Sequence, residues 1–335
     1  MTTLDRPTTP LDRGHVNNTG VDNTKVDGPA GALAERKAPA APVDKRVKAL
    51  RRFATSITVF NVVGHLFLGF EQSPVTPITC VLVGYASALL LEFLDARGRG
   101  RAPEYAGGPG NLVTFLLPAH ITALACGMLL WGNTSLWPYV FAVVCSNSMK
   151  YVVRLRVGGR VRHVLNPSNS GIVLTLLLFG WVGIAPPYHF TNAVGDPLDW
   201  FIPVGILMLG TMLNAGLTGK IPLIAGWIGG FVAQAAVRWA LLDHAFLAAL
   251  VPMTGVAFIL YTNYMITDPG TTPTRKRNQV VFGLTTAAVY GVLVSAGVVF
   301  GLFFALVITC VLRGVVLWAA SRPAAREAST TGGAP

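Results

Sequence analysis

Two polar stretches hold most of the residues able to do chemistry. The first, Arg154–Asn169, reads RLRVGGRVRHVLNPSN: Arg154, Arg156, Arg160 and Arg162, a Gly158-Gly159 turn, His163 and an Asn-Pro-Ser-Asn box ahead of the apolar run SGIVLTLLLFGWVGIA. Asn166 suits an N-cap, Pro167 the first helical position, and Ser168, Asn169 and Ser170 can satisfy the first free amides. Such a helix start aims its amide dipoles at the loop before it, and with the arginines it can hold a phosphate or carboxylate. A capped helix with topogenic arginines explains the same residues equally well. The second stretch, Thr267–Gln279, reads TDPGTTPTRKRNQ. Asp268-Pro269-Gly270 is a turn signal. Thr267, Thr271, Thr272 and Thr274 offer hydroxyls, and Arg275, Lys276 and Arg277 offer charge. A capped turn followed by positive charges is again the plain alternative.

These boxes sit between long apolar runs. The chain has 335 residues, 52% hydrophobic and 12% charged, against about 25% charge in an ordinary soluble domain. Runs near 53–70, 74–94, 111–131, 136–152, up to 185, 200–217, 221–240, 246–266, 279–297 and 301–320 approach the roughly 20 residues a crossing helix needs. The expected fold is an all-α polytopic membrane protein with about ten transmembrane helices in two inverted five-helix repeats. The repeats would be 45–185 and 186–320, with disordered cytoplasmic tails at 1–44 and 321–335. Residues 1–44 are polar, mixed in charge and lack the apolar core of a signal peptide. With the N-terminus inside, the inner segments hold nearly all the basic residues, while the outer segments hold Arg238 and the acids Glu71, Asp196, Asp199 and Asp243. That asymmetry places both termini and both boxes in the cytoplasm. LLPAHITALACG and LVPMTGVAFIL each carry an interior proline and threonine (Pro118 and Thr122, Pro252 and Thr254), a sign of repeated halves with a site near the midplane.

Within the bilayer His120 is a relay or substrate-ligand candidate together with Pro118, Thr122 and Thr254; a neutral histidine bonded to a neighbouring helix fits it too. No Asp or Glu occupies a midplane position, which argues against a carboxylate relay. Cys80, Cys126, Cys145 and Cys310 fall in four different runs without a C-x-x-C pair, so buried structural thiols are expected and no metal site. The net charge of +11 lies in short loops flanking apolar runs, unlike the basic stripe of a nucleic-acid binder. No P-loop, G-x-G-x-x-G after a strand, H-E-x-x-H or G-x-S-x-G occurs, and no catalytic residue stands out.

HVLNPSNSGIVL and YMITDPGTTPTRKRNQVVFG resemble the Asn-Pro and Thr-Asp-Pro boxes of the membrane flavin subunits of sodium-pumping NADH:quinone reductase and Rnf complexes, the NqrB/RnfD family. The resemblance covers roughly 50–320 and implies inverted five-helix halves. It also implies a flavin (FMN or riboflavin) and electron transfer within a larger complex, as a non-catalytic subunit of a membrane oxidoreductase. That family's covalent-FMN box, Ser-x-Ala-Thr, has no equivalent here: PPYHFTNAVGDPLDW holds Thr191 without it, so any flavin would be non-covalent. LLPAHITALACGMLLW, VGGRVRHVLNPSNSGIVLTLLLFGWVGIAPPYHFT and VPMTGVAFILYTNYMITDP are more closely similar to UnbU-type membrane proteins of enediyne antibiotic gene clusters. That similarity implies a multi-pass protein of a bacterial cell membrane serving enediyne biosynthesis. Its expected partners are the lipid bilayer and proteins of the same pathway or complex. The cofactor-binding residues would be Arg154, Arg160, His163, Asn166, Asn169, Thr267, Asp268, Thr271, Thr272 and Thr274. Two other roles suit the same residues: a channel or transporter for a small solute or the antibiotic, and a membrane anchor for pathway enzymes.

Overall fold

The computed structural model describes residues 45–331 except 158, 159, 187, 188, 193 and 196. The expected N-terminal tail and residues 332–335 lie outside the described residues. Helices dominate: α1 (Lys45–Leu66), α2 (Val75–Gly98), α3 (Pro109–Leu129), α4 (Trp137–Val152), α5 (Pro167–Leu178), α6 (Leu198–Leu213), α7 (Ile221–Leu242), α8 (Phe246–Leu250), α9 (Val256–Leu260), α10 (Lys276–Ser295) and α11 (Gly301–Thr331). α6 ends in a π-helical turn, Asn214–Thr218, and α9 in another, Tyr261–Met265. α11 extends past 320 into the stretch read as a tail.

Among the described residues six helices are long and apolar enough to cross a membrane, and the bent α8–α9 pair makes seven if it is one span. The expected spans at 136–152 and up to 185 are α4, of 16 residues, and α5, of 12, both short of the roughly 20 a crossing requires. α1 spends its first two turns on Lys45, Arg46, Lys48, Arg51 and Arg52. The expected span at 246–266 is broken: a 3-10 turn, Val251–Thr254, and extended Gly255 separate two short helices bent by 70°. Pro252 lacks the amide that would continue α8. Pro118, by contrast, sits inside a continuous α3.

The protein is not wholly α-helical. β2 (Arg154–Val157) pairs antiparallel with β3 (Arg160–His163), with Arg154 opposite His163 and Val157 opposite Arg160. A short pairing of β1 (Leu130–Trp131) with β4 (Gly183–Ile184) ties the end of α3 to the chain after α5. Small residues let helices approach closely. α10 crosses α7 where a Cβ on Gly283 would lie 2.5 Å from the Leu223 carbonyl and the Trp227 amide. α5 meets α4 where one on Gly171 would strike Ser146 and the Ala142 carbonyl. An aromatic cluster of Trp227, Phe231, Phe258, Tyr261, Tyr290 and Phe303 fills the space between α7, α9, α10 and α11.

Candidate functional site

The two boxes meet. Asn166 caps α5: its Oδ1 accepts from the Asn169 amide at 3.0 Å and the Ser168 hydroxyl at 3.1 Å. Its Nδ2 donates to the Met265 carbonyl at 3.0 Å, at the last residue of the π-turn that leads into the second box. Asn169 Nδ2 reaches the Phe303 carbonyl on α11 at 2.9 Å. Two buried amides thus fasten the start of α5 to the later half of the chain. The N-cap read from sequence is present, and it has a second task that sequence spacing does not reveal.

The TDPG segment folds on its own aspartate. Asp268 Oδ2 accepts from the Thr271 hydroxyl at 2.8 Å, Oδ1 from the Gly270 amide at 3.3 Å, and its carbonyl from the Thr272 hydroxyl at 2.5 Å. Thr267 donates to the Asn263 carbonyl at 2.7 Å, and Thr274 lies exposed with its carbonyl bonded to Gln279. Cations from other elements grip the turn. Arg313 Nη1 donates to the Thr271 carbonyl and Lys220 Nζ to the Pro273 carbonyl, each at 2.7 Å. His163 packs against Gly270, where a Cβ would lie 2.7 Å from its Nε2. Burial lowers the His163 pKa, with the Asp268 carboxylate pulling the other way.

Lys220 was not anticipated from sequence, where it is one residue of a Thr-Gly-Lys turn. It is 2% exposed, and burial pushes its ammonium from the usual 10.5 to about 8 against the attraction of Asp268. Between these values the unfolded chain keeps the proton and the folded chain gives it up. Stability should therefore rise with pH from about 8 to 10.5, with the full burial cost present below 8. Chemical denaturation across this window is expected to show that rise, and Lys220→Met to flatten it.

Other expected ligands have different partners. Arg154 Nη1 pairs with Asp95 at 3.0 Å, its Nε donates to the Lys150 carbonyl, and its guanidinium lies 4.6 Å over the Tyr151 ring. Arg101 bonds Glu92 at 2.6 Å and Asp95 at 2.7 Å, and these carboxylates hold its guanidinium charged well above the usual range. Arg160 contributes its backbone to β3, and its side chain lies outside the description. Most of the proposed cofactor ligands thus have their hydrogen-bonding groups engaged within the protein, which makes them a brace between the halves.

His120 is a strut. Thr58 gives its proton to the Ala54 carbonyl at 2.7 Å, so it accepts from His120 Nε2 at 2.8 Å. Nδ1 then accepts from the Tyr85 hydroxyl at 2.8 Å. The His120 ring thereby joins α1, α2 and α3. His120→Leu leaves the Tyr85 hydroxyl without its partner and is expected to cost about 1–3 kcal/mol in thermal unfolding. Thr122 is buried nearby on α3, whereas Thr254 is exposed at the α8–α9 break and donates to the Val251 carbonyl. Among the described residues no group of three or more His, Cys, Asp or Glu could hold a metal.

A cavity of about 400 Å³ opens beside the box junction. Ser168 of the first box and Met265, the acceptor of Asn166, both line it. α1, α3, the β4 region, α9 with its π-turn and α10–α11 supply the rest, including Phe60, Ala125, Tyr261, Tyr290 and Phe300. Phe300 holds φ at +60°, a conformation that costs a side-chain-bearing residue about 1–2 kcal/mol. Tyr261 is 3% exposed, and its hydroxyl has no hydrogen-bond partner among the described residues. The chain matches no protein-family model and no curated protein.

Proposed function

We propose that this is an integral membrane accessory protein of enediyne antibiotic biosynthesis, working as an electron-transfer subunit that holds a flavin non-covalently in the cavity beside the box junction. The cavity carries the proposal. Its volume of about 400 Å³ falls within the range of ligand sites, and its wall combines aromatic rings with residues next to both boxes. The fit favours the ring system over a phosphate, because none of the described residues lining the cavity is charged and the Asn166 and Asn169 amides donate to backbone carbonyls. A flavin bound there would supply the capacity to accept and pass on electrons. In this reading the chain crosses a bacterial cell membrane about ten times as two inverted halves, with both termini and the basic loops in the cytoplasm. Its partners are proteins of the same pathway. The purified full chain is expected to retain flavin absorbance, with a released mass of riboflavin or FMN. A folded, colourless preparation without flavin mass overturns the cofactor.

A second reading is favoured by the 70° break between α8 and α9, since Ala257 and Leu260 of α9 line the cavity. Broken helices build solute sites in transporters. Proteoliposome flux of an uncharged pathway compound, abolished by Ala257→Trp, would support it. No flux with any pathway compound would remove it.

A further inference from the structure

We infer that the junction of the two boxes binds a phosphate dianion, free or as the head of a phosphate monoester, with Arg313 and His163 as its contacts and Lys150 and Lys220 supplying charge. The inference does not depend on what the apolar cavity holds, since none of these four residues lines it.

The first observation is an imbalance of charge around Asp268. Its carboxylate acts electrostatically on Lys150, Lys220 and His163, and Lys220 also feels Arg313. The three cations donate to neutral oxygens: Lys150 to the Asn147 side chain at 3.0 Å, Lys220 and Arg313 to the Pro273 and Thr271 carbonyls at 2.7 Å. Ion pairs among the described residues join Glu92 and Asp95 to Arg99, Arg101 and Arg154, and leave these three cations out. Asp268 has its own oxygens held by Thr271 and Gly270. Lys220 keeps its charge at neutral pH, because burial takes it only to about 8. Three positive charges against one carboxylate leave an excess of two.

Positive charges that only set topology lie in water, as Arg275, Lys276 and Arg277 do. Lys150 and Arg313 are instead half-buried, and Lys220 is buried. A carbonyl satisfies one N–H group without cancelling a charge, and buried charge left uncompensated is costly. A dianion removes the excess; a carboxylate, with one negative charge, removes half of it.

The second observation is a set of open donors. Arg313 commits Nη1 to Thr271, while its Nε and Nη2 have no partner among the described residues and remain accessible. The same holds for both ring nitrogens of the half-buried His163. The two residues come together at one crossing. A Cβ on Gly314 would lie 2.6 Å from Val164 Cγ1, so the residue after Arg313 meets the residue after His163. His163 also reaches the turn itself: a Cβ on Gly270 would lie 2.7 Å from its Nε2 and 3.3 Å from Asp268 Oδ2. Donors arriving from a helix and a strand suit an anion with oxygens on several sides, and a guanidinium is well shaped for phosphate.

The full chain in an uncharged detergent is dialysed to equilibrium against radiolabelled inorganic phosphate, near neutral pH and at fixed potassium chloride. Saturable uptake is expected. Arg313→Gln should raise the half-saturating concentration about tenfold, as loss of a charge-assisted hydrogen bond does. His163→Glu, which sets a second carboxylate in the site, should abolish uptake. Asp268→Asn should tighten binding about threefold or more by removing a repelling charge, a gain that purely structural cations would not produce. Uptake that never saturates, or that Arg313→Gln and His163→Glu leave unchanged, overturns the inference. Should Arg313→Gln fail to fold, His163→Glu still decides, because the His163 ring makes no hydrogen bond to a described residue whose loss would unfold the chain. The source of the phosphate is read in nanodiscs containing phosphatidic acid, whose head is a phosphate monoester, with phosphatidylglycerol discs as the reference for surface charge. Uptake lost only with phosphatidic acid sustains the site as one for a membrane lipid. Equal uptake in both sustains it as one for a soluble phosphate.

Discussion

Asn166→Ala is expected to lower the unfolding free energy by about 2–4 kcal/mol, the sum of a lost N-cap and a buried carbonyl left without its donor. The side chain does two separable jobs. Its Oδ1 caps α5 through Asn169 and Ser168, and its Nδ2 holds the Met265 carbonyl of the other box. Aspartate at the same position keeps the cap but has no donor for Met265, and it sets a carboxylate beside a carbonyl. Asn166→Asp should therefore recover only the capping part and remain at least about 1 kcal/mol below the wild type. Thermal unfolding of the three proteins in one detergent measures this. Full recovery in Asn166→Asp would mean that the bond between the boxes contributes nothing.

The second large effect is expected at the α7–α10 crossing. Gly283→Ala puts a methyl group 2.5 Å from the Leu223 carbonyl and Trp227 amide, and Gly226→Ala puts one 2.6 Å from the Val280 carbonyl. These are backbone atoms, so no side chain can swing aside and the helices must part. Overpacking of this kind costs about 1–3 kcal/mol per site. Because Trp227 packs against Tyr261 and Tyr290 lines the cavity from α10, the displacement should reach the cavity as well. Gly229→Ala is the control on the same helix: nothing lies within 4 Å of its added carbon, and alanine there should be neutral or stabilising by up to about 1 kcal/mol. Equal behaviour of Gly229→Ala and Gly283→Ala in thermal unfolding would refute this account of the crossing.

Much of the framework is legible in the chain because apolar runs separated by polar loops mark helices whatever their partners. The Asn-Pro start of α5 was legible for the same local reason, since a cap is written in adjacent residues. The β2–β3 pairing was obscured. Arg154–His163 alternates between arginine and other residues on either side of Gly158-Gly159, a two-residue spacing that signals strands, but the arginines read first as topology markers. The ligand roles given to Arg154, Asn169 and Thr271 failed to foresee their partners, because Asp95, Phe303 and Asp268 come to them through turns and long-range packing. Tyr261 carried no distinguishing signal at all. A tyrosine in an apolar run looks like any other until packing buries it and no described neighbour meets its hydroxyl.

The bonds from Asn166 to Met265 and from Asn169 to Phe303 also bear on biogenesis. They join residues 99 and 134 positions apart in the chain. A ribosome delivers Asn166 and Asn169 to the membrane long before either acceptor has been synthesised. Through that interval the start of α5 can be capped but not anchored, so insertion of the first half leaves two amides waiting for the second. Assembly of this site is consequently a late event in the life of the nascent chain. A truncation that stops before Met265 leaves both amides without their acceptors, a form that quality-control proteases can recognise.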